Sequence, residues 1–202
     1  RSLDQRTPPF LHEVRGTFAD PAAADGDAAI AAAQTAFPAW RALSPLKRKA
    51  YLDRALHAMI ARRDEIAAVI TRENGKALRE ARGEVDSAIK EMDYQIAEGV
   101  RLCGQTVPVE VEGTLAYSTR EALGPVALVT PWNFPFNVPC RKATPALMGG
   151  NTIVLKPPRL APRPGLKFTE PLAPSYSILL HGPVGLALML PMTETNTRSL
   201  DE

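Results

Sequence analysis

The stretch GPVALVTPWNFPFNVPCRKATPALMGGNTIVLK, residues 124–156, decides the fold. Gly124-Pro125 breaks the chain, and Val126 to Thr130 is a short, continuous apolar run that reads as a strand buried on both faces. Pro131 to Pro135 reads as a loop, Val138 to Met148 as a helix, and Gly149-Gly150-Asn151 as its stop. A second buried strand, Thr152 to Lys156, follows. Strand, helix and strand within about thirty residues have the size of a βαβ unit. The two strands are therefore expected to run parallel, with their carboxyl ends on one edge of the sheet. Pro131, Trp132 and Asn133 leave the first end and Lys156 closes the second. In open α/β sheets, ligands bind outside those ends. Trp132 offers a flat wall, Asn133 a neutral amide, and Lys156 a cation suited to a phosphate or a ribose hydroxyl, so the set suggests a nucleotide. The same residues allow a second reading, in which Trp132 packs in the core, Asn133 caps the following helix and Lys156 is a solvated strand end. Neither G-x-G-x-x-G nor G-x-x-x-x-G-K occurs.

Upstream the period is helical. Asp25 or Asp27 can cap a helix carrying Ile30, Ala33 and Phe37, and Ser44-Pro45 reads as N-cap and first helical position of the next. Leu52, Leu56, Met59 and Ile60 form its expected buried stripe. Asp64 starts a helix through Ile66, Val69 and Ile70 that stops at Asn74-Gly75. A long helix from about Leu78 to Leu102 buries Val85, Ile89, Met92 and Ile96, and its charges Arg79, Glu80, Glu84, Lys90 and Glu91 read as a solvated face. The period then changes to two. Thr106 to Glu112 and Thr114 to Arg120 read as a hairpin about Gly113, with Glu110 and Glu112 on a solvent-facing edge. Residues 1–24 show no sustained period. Eight of the 19 prolines fall in residues 157–202, so an irregular, loosely packed tail is expected over 158–202.

Composition narrows the function classes. The chain has 202 residues, 45% of them hydrophobic and 23% charged, which is globular rather than disordered. Lys plus Arg is 24 and Asp plus Glu is 22, a net charge of +2 that argues against a nucleic-acid binder. Cys103 and Cys140 cannot make a disulfide framework, which favours a reducing, cytoplasmic setting. No run reaches the roughly 18 apolar residues of a membrane span, and Ile178 to Leu190 is interrupted by His181, Gly182, Pro183 and Gly185. His12, His57 and His181 lack metal-ligand spacing, so no metal is expected. Cys140, beside Pro139, reads as a packing cysteine.

Several ordered blocks carry a resemblance. Pro131-Trp132-Asn133-Phe134-Pro135, Pro145-Ala146-Leu147 and Gly150-Asn151-Thr152-Ile153-Val154-Leu155-Lys156-Pro157 resemble the aldehyde dehydrogenase superfamily. Ala36 to Arg41, Glu73-Asn74-Gly75-Lys76, Glu80 to Glu84 and Arg120 to Pro125 agree in the same order, so the resemblance covers about residues 14–157. It implies an α/β fold made of the amino-terminal part of that family's fold: helices, a β-hairpin, and the first βαβ of a parallel, Rossmann-like sheet. Residues 25–157 would form part of an NAD(P)-binding domain, with 106–120 resembling the oligomerisation hairpin. The implied reaction is oxidation of a small-molecule aldehyde to an acid through a thiohemiacetal, with NAD or NADP as cofactor. Asn133 corresponds to the family's oxyanion donor, Lys156 to its contact with the adenosine ribose, and Thr130, Pro131 and Trp132 to the lining of the phosphate path. The family's nucleophilic cysteine lies well over a hundred residues beyond the Pro-Trp-Asn block, and its glutamate base sits in a Glu-Leu-Gly-Gly segment. Neither falls within residues 1–202, so this chain by itself is expected to be inactive. The alternative is a non-catalytic nucleotide-binding or oligomerisation module, assembling with itself or with full-length relatives. After Lys156-Pro157, where the family commonly has a glutamate, stand Pro158 and Arg159, and no further family block is expected in the tail.

Overall fold

The computed structural model describes the backbone of residues 2–6, 14–19, 23–169, 176–181 and 186–191, and the side chains of residues 23–169. Two short strands, β1 (Ser2–Arg6) and β2 (Val14–Ala19), pair antiparallel where the sequence shows no period. Four helices follow: α1 (Ala23–Ala42), α2 (Pro45–Ala61), α3 (Arg63–Asn74) and α4 (Leu78–Val100). Their boundaries have local causes. Ser44 Oγ accepts from Lys47 N at 3.3 Å, and Pro45 sits at the first helical position, where no donor is needed. Gly75, at φ 78°, ends α3 with its N–H on Thr71 O.

The buried stripes run at steps of three and four. On α1 they are Ala29, Ala33, Ala36 and Trp40, and on α4 Ala81, Glu84, Val85, Ala88, Met92, Ile96 and Gly99. Ile30 and Ile60, expected inside, are about half exposed, because their neighbours Ala29 and Met59 hold the inward positions. The tryptophan at the end of α1 is fully buried, and its Nε1 donates to Leu147 O at 3.0 Å. The buried guanidinium of Arg48 is met by carbonyls, Nε on Met148 O at 3.0 Å and a terminal nitrogen on Leu43 O at 2.6 Å.

The expected hairpin contracts to β3 (Thr106–Val107) and β4 (Ala116–Tyr117). Pro108 has no N–H to extend the ladder. Val111, Leu115 and Tyr117 are exposed, so no buried face holds longer strands together.

The βαβ unit is present as β5 (Pro125–Val129), α5 (Asn137–Met148) and β6 (Thr152–Lys156), with the strands parallel from Pro125↔Thr152 to Val129↔Lys156. Alternate residues of β6 serve two layers. Ile153 and Leu155 join the main core with Leu128, Leu147 and the helices, while Val154 packs on Ala29 and Ala33 of α1. On the α1 side, Thr152 Oγ1 also donates to Ala33 O at 3.0 Å. Strand β5 is covered on one face only: Leu128 is buried, but Val129 is 73% exposed, because α1 lies chiefly over β6 and the strand beyond it and leaves that face of β5, an edge strand, largely open. Inside α5, Pro145 cannot donate to Arg141 O, and Gln95 Nε2 takes that place from α4 at 3.3 Å.

The tail is more regular than its prolines suggest. Helix α6 (Pro162–Thr169) has Pro162 and Pro164 in its first turn, where the N–H groups have no helical partner. Strands β7 (Tyr176–His181) and β8 (Leu186–Pro191) form an antiparallel hairpin, and β8 pairs with β6 at Val154↔Leu188 and Leu155↔Ala187. The strand order is β5-β6-β8-β7, so the edge of β6 is occupied rather than open. The rest of the expected irregular tail, residues 170–175, 182–185 and 192–202, lies outside the described residues.

Two predictions follow from this packing. A Cβ on Gly99 would lie 2.4 Å from Met148 Cβ, whereas one on Gly83 of the same helix would meet nothing within 4 Å. Gly99→Ala is expected to destabilise by about 1–3 kcal/mol and Gly83→Ala to stabilise by about 0.5–1 kcal/mol, read from urea midpoints. The second concerns α6, where Arg62 and Lys167 hold the Glu65 carboxyl at about 2, below its ordinary 4.5. Because the folded value is depressed, this stabilisation is complete above about pH 4.5 and fades as pH falls towards 2. The urea-midpoint difference between wild type and Glu65→Gln should therefore shrink over that interval.

Candidate functional site

Parallel pairing brings the ends of β5 and β6 together. Thr130 is buried, and its N–H donates to Lys156 O at 3.3 Å. Pro131, Trp132, Asn133 and Lys156 are all exposed on that edge, with Trp132 at 55%. The indole is therefore not a core side chain. Asn133 does not cap α5 either, since the N-cap position is Phe136 and no side chain caps it there. All five residues singled out from the sequence thus lie at one carboxyl-end edge.

The loop they occupy is held from the α3–α4 turn. Asn74 Nδ2 donates to Trp132 O at 2.7 Å, and Lys76 Nζ donates to Asn133 O at 2.9 Å while lying 4.3 Å from the Phe134 ring centroid. Lys76 Nζ also pairs with Glu84 Oε2 at 2.6 Å. The second oxygen of Glu84 accepts from Phe136 N at 2.9 Å and Asn137 N at 3.1 Å, the start of α5. A carboxylate there meets both free amides and the positive end of the helix dipole.

Glu84 corrects the reading of its helix as a solvated charged face, for its side chain has no exposed surface. Arg79, Glu80 and Lys90 do face solvent, and Glu91 is half-buried against Arg141 at 2.7 Å. One signal was available in the sequence: Glu84 falls in register with Ala81, Val85 and Ala88, so it interrupts an apolar stripe, and a charge there requires partners. Glu73 is also buried, accepting from Arg163 N at 3.0 Å and so tying α3 to α6.

The two cysteines differ in exposure. Cys140 is buried in α5, where desolvation and then the nearby Glu84 carboxylate push its thiol well above the usual range. Cys103 is exposed just beyond α4. Among the described residues no group of His, Cys, Asp or Glu is placed to hold a metal, and no helix is long and apolar enough to cross a membrane.

A helix-covered α/β sheet with polar residues gathered at the carboxyl ends of parallel strands defines the class. The chain belongs to the aldehyde dehydrogenase family, whose model matches residues 3–174. The match starts before residue 14 and runs past Pro157, wider on both sides than the sequence blocks, and beyond Pro157 it takes in α6 despite its prolines. The chain is 40% identical over 150 residues to the alpha-ketoglutaric semialdehyde dehydrogenase of Bacillus subtilis, covering 74% of this chain and 31% of that protein. It is 39% identical over 143 residues to the NADP(+) succinate-semialdehyde dehydrogenase of Escherichia coli, covering 71% and 30%. Among solved structures, lactaldehyde dehydrogenase from Escherichia coli superposes with a TM-score of 0.82 at 32% identity, over 85% of this chain and 36% of that one. The chain thus spans about a third of the length of these relatives, and its architecture is that of the amino-terminal part of their fold.

Two outcomes check this geometry. A thiol reagent should label Cys103 and leave Cys140 untouched until denaturant is added. Glu84→Ala should cost about 3–5 kcal/mol, the range for breaking a buried ion pair, read by urea unfolding.

Proposed function

We propose that residues 23–157 form the oxyanion-holding and ribose-facing portion of an NAD(P)-dependent aldehyde dehydrogenase. The observation that carries this reading is the placement of Asn133, whose carbonyl is pinned by Lys76 while its side chain sits in the exposed loop at the carboxyl-end edge. When a thiolate adds to an aldehyde carbon, the carbonyl oxygen takes up negative charge. A neutral amide already in position stabilises that oxygen without reorganisation, and losing one such donor costs about 3 kcal/mol. Asn133 has the right chemistry, donating an N–H while carrying no charge that would alter the nucleophile.

The edge also fits one end of a dinucleotide. Lys156 is an exposed cation at the strand terminus and Trp132 an exposed flat ring, with Pro131 and the backbone of Thr130 between them. Lys156 would meet a ribose hydroxyl, and Thr130 to Trp132 would line the path of the phosphates. Bound NAD or NADP supplies the hydride acceptor. Residues 25–157 would belong to the cofactor domain. A cytoplasmic setting accords with two unpaired cysteines.

Exposed Val107, Val111, Leu115 and Tyr117 around β3 and β4 favour a role in assembly for the 106–120 segment. A homo-oligomer or association with full-length relatives would cover them.

Cys140 is buried with its thiol pushed up and Cys103 lies beyond α4, so the 202-residue chain mixed with an aldehyde and NAD or NADP should give a flat absorbance trace. Turnover that Cys140→Ser abolishes would overturn the assignment. The positive test is a chimera in which residues 23–157 replace the matching part of the Bacillus subtilis relative. Asn133→Ala in that chimera should lower kcat by about 100-fold or more.

A further inference from the structure

We infer that Asn74, Lys76 and Glu84 are positioning residues for Asn133, a role that rests on the oxyanion reading above. The argument begins with the peptide bond. The plane before Asn133 contains the Trp132 carbonyl, and the plane after it contains the Asn133 carbonyl. Asn74 Nδ2 holds the first oxygen at 2.7 Å and Lys76 Nζ holds the second at 2.9 Å. With both planes fixed, φ and ψ of Asn133 are fixed, because these are the only soft backbone dihedrals at the residue. The direction of its Cα–Cβ bond then follows.

The two clamps come from one tight turn. Asn74 and Lys76 flank Gly75, whose φ of 78° favours glycine, and this geometry lets both side chains reach successive carbonyls of one loop. Glu84 completes the arrangement from α4. It holds Lys76 through one oxygen and the first amides of α5 through the other, fixing the far side of the loop. Lys76 is 14% exposed and Glu84 fully enclosed, so water competes only weakly for the ion pair that anchors the clamp. A catalytic donor must be held within about 0.5 Å of its productive position, and an exposed asparagine in a loop has no packing of its own to provide that.

The test uses the full 202-residue chain and separates positioning from folding. In the double variant Lys76→Met/Glu84→Gln no buried charge is left unpaired, and the glutamine oxygen still accepts from Phe136 and Asn137. Its melting temperature is expected to stay within a few degrees of wild type. Backbone order parameters at Trp132 and Asn133 should fall from about 0.85 to below about 0.6, with Trp40 and Leu147 unchanged. Asn74→Ala, which leaves the ion pair intact, should loosen Trp132 and Asn133 in the same way and carries the test if the double variant does not fold. Order parameters unchanged in a folded variant would overturn the proposal. Quenching of Trp132 fluorescence by NAD or NADP is the parallel readout, and the dissociation constant in Asn74→Ala should rise by about tenfold, roughly 1.4 kcal/mol. No quenching in wild type would sink the cofactor reading alone, while relaxation still decides the positioning role.

Discussion

A carboxylate removed from water must be met by donors inside the protein, and Glu84 is that carboxylate here. Its side chain has no exposed surface, and its two oxygens are divided among the Lys76 ammonium and two amides at the start of α5. Removing a partner from such a pair leaves a buried charge uncompensated, at about 3–5 kcal/mol. The requirement ties three places together: the turn after α3, the second turn of α4, and the junction between the 131–135 loop and α5. The loop takes its shape from that constraint.

The sheet provides the second fixed frame. Alternate residues of β6 are buried against α1 on one side and against α5 and the helical core on the other. Its register with β5 is therefore specified from both faces, since a slip by one residue would exchange the two layers. The register sets Val129 opposite Lys156 and so places the loop beside the lysine. The sheet fixes the start of the 131–135 loop, while Asn74, Lys76 and Glu84 hold it through the Trp132 and Asn133 carbonyls and the amides of Phe136 and Asn137.

These contacts give a physical account of family blocks scattered over the chain. Glu73 to Lys76, Glu80 to Glu84 and Pro131 to Pro135 lie far apart along the chain, 58 positions between Asn74 and Trp132, yet they meet around one loop. Asn74 and Lys76 bond the loop, Glu84 holds Lys76 and the start of α5, Glu73 ties α3 to α6, and Arg82 pairs instead with Asp64. The chemistry proposed for Asn133 would thus depend on side chains that need never touch a substrate.

Much of the fold was legible in the sequence. The period of 3.6 along residues 25–100, the Ser44-Pro45 and Asn74-Gly75 boundaries, and the two apolar runs around Pro131 to Pro135 rest on local rules that do not depend on distant residues. Asn133 and Lys156 could be brought to one edge because a βαβ unit makes its strands parallel. Other features depended on neighbours that local patterning does not reveal. Glu84 is one charge among several on a polar helix, and only the packing of the loop and Lys76 encloses it. Val129 was left open because α1 lies chiefly over β6 and β8 rather than over β5, and the 106–120 hairpin shortened because nothing covered its apolar side chains. The pairing of β8 with β6 was equally hidden behind the prolines of the tail. Local sequence determined boundaries such as Ser44-Pro45 and Asn74-Gly75 and the order of strand, helix and strand over 124–156, because capping, φ restriction and periodicity act over a few residues. Only the tertiary structure decided which charges are buried and which carbonyls they hold, because burial is a property of what packs against a residue.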